Sequence, residues 1–327
     1  MEKKGNQKLK ISASCTSIAL FLLTIMPTFD GDAGTINFTQ DLLGTGGMLV
    51  SVVVGLFTGF VFSVASKHSL FKEDTSMPDI VVNWTDAMVP TAICIGIGMI
   101  MYNTGFNLSL VVRAIFSPVT SIGQTLPGMI LCYFITVFLY SFGFTWIFFP
   151  IIWVIWMDGI AANAAAVAVG AAATSYNLME TFMGMMYIGG QGATLPLVLL
   201  MMFCSKSKKN KTIGRITLLP SLFNINEPIV FGAPIVWNPI LMIPMWLNAI
   251  IPPIVLYILL AIGFCPVPSA PMQMWYLPIY IQGFLSTGSI MGVVTVVILT
   301  VVSLLIWYPF FKVWDKAEAE KEALETK

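Results

Sequence analysis

The stretch Phe223-Asn224-Ile225-Asn226-Glu227-Pro228 sets a carboxylate and two amides inside apolar sequence, and Gly232, Pro234 and Asn238-Pro239 follow it. Groups of this kind are expensive to hold at membrane depth and normally line a bundle interior or a substrate path. Their chemistry suits a polyol. Carboxylate oxygens accept from hydroxyl groups while amides both donate and accept, so a ring with several hydroxyls can exchange its water shell for them. The same residues leave a second reading open, in which the side chains satisfy backbone groups freed where prolines interrupt a helix.

Other chemistries lack their parts. There is no G-x-S-x-G with a histidine partner and no H-E-x-x-H, so neither nucleophilic nor metal-assisted hydrolysis is set up. Cys15, Cys94, Cys132, Cys204 and Cys265 form no C-x-x-C pair and the chain has a single histidine, His68. That pattern argues against a zinc site or a disulfide framework and predicts thiols buried as small hydrophobes. An ion-coupled secondary transporter would need a buried titratable relay, and Glu227 has few ionisable companions in apolar sequence. The expectation is therefore a chain with no cofactor, no metal and no catalytic residue of its own.

The elements that position these residues are membrane helices. Of 327 residues 57% are hydrophobic and 10% charged, with a mean hydropathy of +0.87, more apolar side chain than one water-facing core can hide. Sixteen basic and sixteen acidic residues cancel, so no global field recruits nucleic acid. Apolar runs predict spans at Ile11 to Pro27, Gly46 to Ala65, Asp86 to Tyr102, Thr125 to Met157, Gly192 to Cys204, Val236 to Gly263 and Ile279 to Phe311. The run from Thr125 is too long for one crossing, since about 20 residues span the hydrocarbon, and is expected to break near Phe149-Pro150. Lys3, Lys4, Lys8 and Lys10 before the first run have the charge order of a secretory signal, but the small-x-small cleavage pattern is missing, so a first transmembrane helix is expected.

Basic clusters at the N-terminus, at Lys67 to Lys72, at Lys206 to Arg215 and from Lys312 onward mark cytoplasmic sides. With the long run split, even numbers of spans separate neighbouring clusters, which gives about eight crossings with both termini cytoplasmic. The acidic loop Asp30 to Asp32 then lies outside. Asp158 to Gly192, rich in Ala and Gly, and Ile216 to Ile240, rich in proline and polar groups, resist a simple helix reading. They are expected as two re-entrant, hairpin-like segments, because irregular backbone at membrane depth is tolerated only beside protein or a water-filled cavity. The predicted fold is thus an all-α integral membrane protein, in one domain. Residues 11–125 form N-terminal scaffold spans, 126–311 a substrate-pathway part with re-entrant segments near 158–192 and 216–240, and 312–327 a tail.

The stretch Pro220 to Pro239, with its N-I-N-E-P core, resembles the signature of the lactose/cellobiose family of bacterial phosphotransferase-system IIC permeases. The likeness extends over most of the chain. Ile188-Gly189-Gly190-Gln191-Gly192-Ala193-Thr194-Leu195 is similar to the family's I-G-G-x-G-x-T-L turn, and Ser205 to Lys208 to its S-K-S-K segment. Trp275, Pro278, Gly283-Phe284 and Tyr308-Pro309-Phe310-Phe311-Lys312 look like its last spans. The resemblance implies a homodimer in the bacterial cell membrane, each subunit binding a disaccharide or β-glucoside of the cellobiose, chitobiose or lactose kind in a pocket between two re-entrant hairpins. A separate IIB protein, recharged by IIA, then phosphorylates the sugar. It also implies that Asn226 and Glu227, with Asn224 beside them, contact sugar, and that Trp275 stacks on a sugar ring.

Departures from the family pattern are specific. Where F-G-I-H-G is usual the chain reads Phe142-Gly143-Phe144-Thr145-Trp146, so Thr145 replaces a histidine associated with sugar binding. A threonine hydroxyl still hydrogen-bonds a sugar but carries no charge near neutral pH. Tyr276-Leu277 stands where two threonines are usual, and Met77-Pro78-Asp79-Ile80-Val81-Val82 where a V-P-P run is. Against the family pattern the chain starts late, and the resemblance leads one to expect that the family's first hydrophobic segments are missing. These departures motivate an alternative, a diverged relative that no longer transports and serves as a sensor or interaction partner. Asp158, Asn163 and Glu180 fall in the Ala/Gly-rich region and could reach the pathway, although Asp158 and Glu180 read first as solvated loop carboxylates.

Overall fold

A computed structural model describes the chain except for residues 1–8, 44–46, 68, 70, 72–76, 145–147, 273 and 326–327. It divides into two compact units, Met1–Pro118 and Val119–Lys327, a division a few residues earlier than the expected change from scaffold to pathway.

The first unit contains α1 (Lys10–Thr24), the strands β1 (Thr28–Asp30) and β2 (Thr35–Asn37), α2 (Gln40–Leu43), α3 (Met48–Ala65) and α4 (Asp79–Thr104). Helix α1 packs on α3 and α4. The contact with α4 depends on small residues, as helix packing in lipid does. A Cβ on Gly98 would run into Leu20 and Leu23, and the hydroxyls of Thr16 and Thr91 share a hydrogen bond of 3.1 Å between the two helices. Helix α4 ends where Gly105 turns left-handed at φ 70 and Phe106 N–H returns to the Met101 carbonyl at 2.9 Å. Much of the apolar surface of α3 and α4 points outward, Leu56, Phe60, Trp84 and Ile100 among it, as expected where lipid is the solvent.

Two elements of this region escape a hydropathy reading. The acidic loop is the turn of an antiparallel hairpin pairing Phe29 with Ile36, closed by Asp30 Oδ1, which accepts from Asp32 N–H at 3.1 Å and Ala33 N–H at 3.2 Å. After α4 comes α5 (Leu108–Gly123), an amphipathic helix whose polar positions break the apolar run that a span would need.

The second unit continues with α6 (Leu126–Ser141), α7 (Phe149–Ala168), α8 (Met179–Thr181) and a π turn at Phe182–Met186. Then come α9 (Leu195–Cys204), α10 (Lys208–Leu222), α11 (Glu227–Gly232), α12 (Pro239–Asn248), α13 (Ile251–Ala261), α14 (Ile279–Thr287) and α15 (Ile290–Glu325). The long apolar run does split, but the interruption precedes Phe149. Pro150 occupies the first turn of α7, where its missing N–H costs nothing. Helices α7 and α10 also run further than expected, to Ala168 and Leu222, so the irregular stretches begin later than residues 158 and 216.

Among the described residues, four helical stretches are long and apolar enough to cross a membrane: Asp79–Thr104, Ile151–Ala168, Pro239–Ala261 and Ile290–Leu324. Shorter apolar helices include Lys10–Thr24, Val50–Ala65, Leu126–Ser141 and Leu195–Cys204. Helix α15, 36 residues long, extends about 54 Å against a hydrocarbon core of about 30 Å, so its charged end beyond Lys312 lies outside the apolar layer. The protein is a helical, multi-pass membrane protein.

The core of the second unit contains an aromatic cluster. Tyr133 meets Phe182 edge-on at 4.6 Å, and Trp156 lies 4.7 Å from the same ring. The cysteines correct the expectation of uniform burial: Cys94, Cys132 and Cys265 are buried, whereas Cys15 and Cys204 are exposed.

Candidate functional site

Within the second unit, prolines decide where the backbone must find partners outside a helix. Pro228 and Pro239 sit in the first turns of α11 and α12, and Pro234 lies between those two helices. The connecting backbone is short of internal donors. Asn224 takes a left-handed conformation at φ 61, which asparagine tolerates better than most residues. Its Oδ1 accepts Gly189 N–H at 3.3 Å, and its Nδ2 donates to the carbonyls of Trp275 at 3.3 Å and Leu277 at 2.9 Å.

Two residues on, Asn226 is 2% exposed. Its Nδ2 donates to the Gln191 carbonyl at 2.8 Å, and its Oδ1 accepts from the Tyr140 hydroxyl at 3.0 Å. The partner turn at 187–194 is built to admit these amides. Gly189, Gly190 and Gly192 have φ of 76, 107 and 81, and a Cβ on Gly190 would overlap the Asn226 side chain. Thr194 Oγ1 donates to the Gly189 carbonyl at 2.8 Å, and Trp307 Nε1 on α15 donates to the Ala193 carbonyl at 2.8 Å.

Both amides are thus hydrogen-bonded to protein: Asn224 ties the glycine turn to the 275–277 segment, and Asn226 ties it to Tyr140 on α6. Glu227 differs. It is exposed at the start of α11, no hydrogen bond or ion pair among the described residues occupies its carboxylate, and it lies near enough to Tyr140 and Tyr187 to act on both electrostatically. Trp275, reached through Asn224, is 48% exposed, and its ring meets Tyr276 edge-on at 6.3 Å. Thr145 and His68 lie outside the described residues.

Residues that the sequence left in the background hold the preceding irregular stretch. Asn163 Oδ1 accepts from the N–H groups of Thr174 and Ser175 at 3.1 and 2.9 Å, and its Nδ2 donates to the carbonyls of Ser175 and Pro268 at 2.8 Å each. Asn177 accepts from Trp156 Nε1 at 3.1 Å and donates to the Gly123 carbonyl at 2.9 Å. Gln124 Nε2 donates to the Ile155 and Asn177 carbonyls at 3.0 and 2.9 Å. Glu180, expected as a solvated carboxylate, is buried in α8, because the loop that would have carried it is folded into the core. Asp158 is half-buried within α7 rather than in a loop. Tyr140 and Asn177 had no signal in sequence beyond being polar groups in apolar runs.

Residues 9–249 match the family model described as phosphotransferase system, EIIC. A permease IIC component of Bacillus subtilis strain 168 is 31% identical over 331 residues, covering 96% of this chain and 74% of its own length. The cellobiose-specific EIIC component of the Geobacillus stearothermophilus phosphotransferase system is 30% identical, over 95% of this chain and 74% of its own. In structure, the chain is similar to ChbC, the IIC component of an N,N'-diacetylchitobiose-specific phosphotransferase system. The TM-score is 0.76 with 27% identity, over 94% of this chain and 76% of that one.

Proposed function

The chain belongs to the phosphotransferase-system EIIC family, and on that premise we propose that it carries a β-linked disaccharide or β-glucoside of the cellobiose, chitobiose or lactose kind across the membrane. The sugar is delivered for phosphorylation by a separate IIB protein that IIA recharges. The observation that carries this reading is the division of labour in N-I-N-E-P. Asn224 and Asn226 are committed to protein groups, while the Glu227 carboxylate is exposed with no hydrogen bond or ion pair among the described residues and the Trp275 backbone is held through Asn224.

In this reading Glu227 accepts from sugar hydroxyls, each charge-assisted bond contributing about 1.5–3 kcal/mol against water. The Trp275 face stacks on a pyranose ring. Thr145 adds a hydroxyl contact in place of the usual histidine. Asn224 and Asn226 serve the site by fixing the two loops, and they reach sugar only if those loops open. Around the site we propose about eight crossings with two re-entrant segments, both termini cytoplasmic, and a lipid-embedded homodimer. The non-transporting alternative is not favoured: similarity to sugar-specific EIIC components, including an oligo-β-mannoside-specific one, runs through 93% or more of the chain.

The test is calorimetry of the detergent-purified protein against cellobiose, chitobiose, lactose and other β-linked disaccharides, paired with Glu227→Gln. Saturable binding of at least one sugar, weakened about tenfold or more in the variant, is expected. Undiminished binding by Glu227→Gln removes that carboxylate from the site, and silence across the panel from a folded protein overturns the substrate class.

A further inference from the structure

Glu180 is 1% exposed. Its Oε1 accepts the Met272 N–H at 2.8 Å, across 92 residues of sequence, while its Oε2 is buried with no hydrogen-bond partner among the described residues. Burying a carboxyl group away from water is costly. The position invites a search for what it holds.

The segment it reaches, 262–278 between α13 and α14, has no helix or ladder of its own among its described residues, and Pro266, Pro268, Pro271 and Pro278 remove four of its N–H donors. Side chains from other elements support it instead. Asn163 on α7 anchors the Pro268 carbonyl at 2.8 Å. Asn224 binds the Trp275 and Leu277 carbonyls, and Gln282 on α14 donates to the same two carbonyls. Between those anchors the supports among the described residues are Glu180, on the Met272 backbone, and the Ser286 hydroxyl, on the Met272 sulfur at 3.7 Å. The second is a weak sulfur contact, so the carboxyl group is the stronger of the two restraints on Met272.

We propose that Glu180 is a positioning residue for the sugar site: by fixing the Met272 backbone it sets the placement of Trp275 over the substrate. This rests on the reading of Trp275 as a sugar contact. It assigns to the first irregular region, 169–194, control of a residue that lies in the loop before α14. Glutamine keeps an acceptor oxygen for the Met272 N–H, aspartate draws it back by one methylene, and alanine removes it.

Two measurements on the full chain in detergent decide the matter. In hydrogen exchange, protection of the Met272 amide is expected to fall about tenfold or more in Glu180→Ala, less in Glu180→Asp, and to stay near the parent value in Glu180→Gln. In calorimetry with the best sugar of the panel, Glu180→Ala is expected to weaken binding about tenfold, yet to add less than twofold once Trp275→Ala is present, since both changes remove one interaction. Unchanged Met272 exchange in Glu180→Ala overturns the strut. Losses that multiply in the double variant overturn the link to Trp275. A parent protein that binds no sugar refutes the substrate reading instead, and the exchange result still decides whether Glu180 holds the segment. Should Glu180→Ala fail to fold, the comparison of Asp with Gln carries both measurements: equal exchange at Met272 in those two overturns the strut.

Discussion

The Tyr140 hydroxyl donates to Asn226 Oδ1 at 3.0 Å, joining the end of α6 to the turn before α11 across 86 residues of sequence. Both groups are buried, so removing one strands the other. Tyr140→Phe is expected to destabilise the folded protein by about 1–3 kcal/mol, the cost of leaving one buried acceptor unpaired. Asn226→Ala, which also strands the Gln191 carbonyl, should cost more. Thermal unfolding in detergent ranks them, and a Tyr140→Phe midpoint equal to the parent's would show that the bond contributes nothing.

Gly190 sits against that same asparagine. Its φ of 107 is one that residues with a Cβ rarely adopt, and the added methyl would meet the Asn226 amide. Gly190→Ala is expected to destabilise more than Tyr140→Phe, by about 3 kcal/mol or more. Shortening the obstacle relieves part of this. In combination with Asn226→Ala the two losses should sum to less than their separate values, because the overlap with the amide is gone while the overlap with the Cβ at 2.6 Å and the backbone strain remain. A fully additive pair in unfolding measurements would show that overlap with the Asn226 amide is not what Gly190 avoids.

Hydropathy made the membrane class legible because each long apolar helix carries its own signal, as Ile290–Leu324 does. N-I-N-E-P was legible for the converse reason, polar groups surrounded by apolar ones. Two kinds of feature escaped. Helix α5 and the hairpin around Asp30 are amphipathic or short, so no window of sequence averages to a span. The other concerns roles. A buried amide and a substrate-facing amide have the same side chain, and only the positions of Gln191, Tyr140 and Trp275 in space show which protein groups Asn224 and Asn226 bond. Glu180 failed for that reason too: its partner is an amide N–H that carries no residue signature.

Asn163 closes four backbone groups, two donors and two acceptors, on two segments, 174–175 and 268. Replacement by leucine, close in volume, leaves all four without their partner. A loss of about 3 kcal/mol or more is expected, larger than for any one-bond deletion above. Aspartate keeps the acceptor for Thr174 and Ser175 but sets oxygen against the carbonyls of Ser175 and Pro268, so it should rescue little. Wild-type unfolding by Asn163→Leu would mean that the 169–178 stretch is held from elsewhere.

Glu322, near the end of α15, caps the start of α10 whose far end leads to N-I-N-E-P. Its carboxylate accepts from the Ser207 hydroxyl and from the N–H groups of Lys208 at 3.0 Å and Lys209 at 2.9 Å. The Ser207 hydroxyl first, then the Lys209 N–H and the further contacts, hold the carboxyl below the usual carboxylate range. A depressed folded value stabilises docking above the unfolded pKa, near 4.3, and that contribution is lost as pH falls through the lower folded value. Protection factors of amides 316–325 should therefore be steady from about pH 7 to 5 and fall below about pH 4.3, as the tail end loosens from the 205–209 turn. Asp315, which accepts from the Ser205 hydroxyl, the Lys206 N–H at 2.7 Å and Asn210 Nδ2 at 3.0 Å, keeps the root of the tail in place. Glu322→Gln should lower protection already at neutral pH and respond less to acid, since glutamine offers one acceptor oxygen and no charge to the N-terminal turn of α10. An identical acid response in the two proteins would move the titrating group elsewhere on the tail.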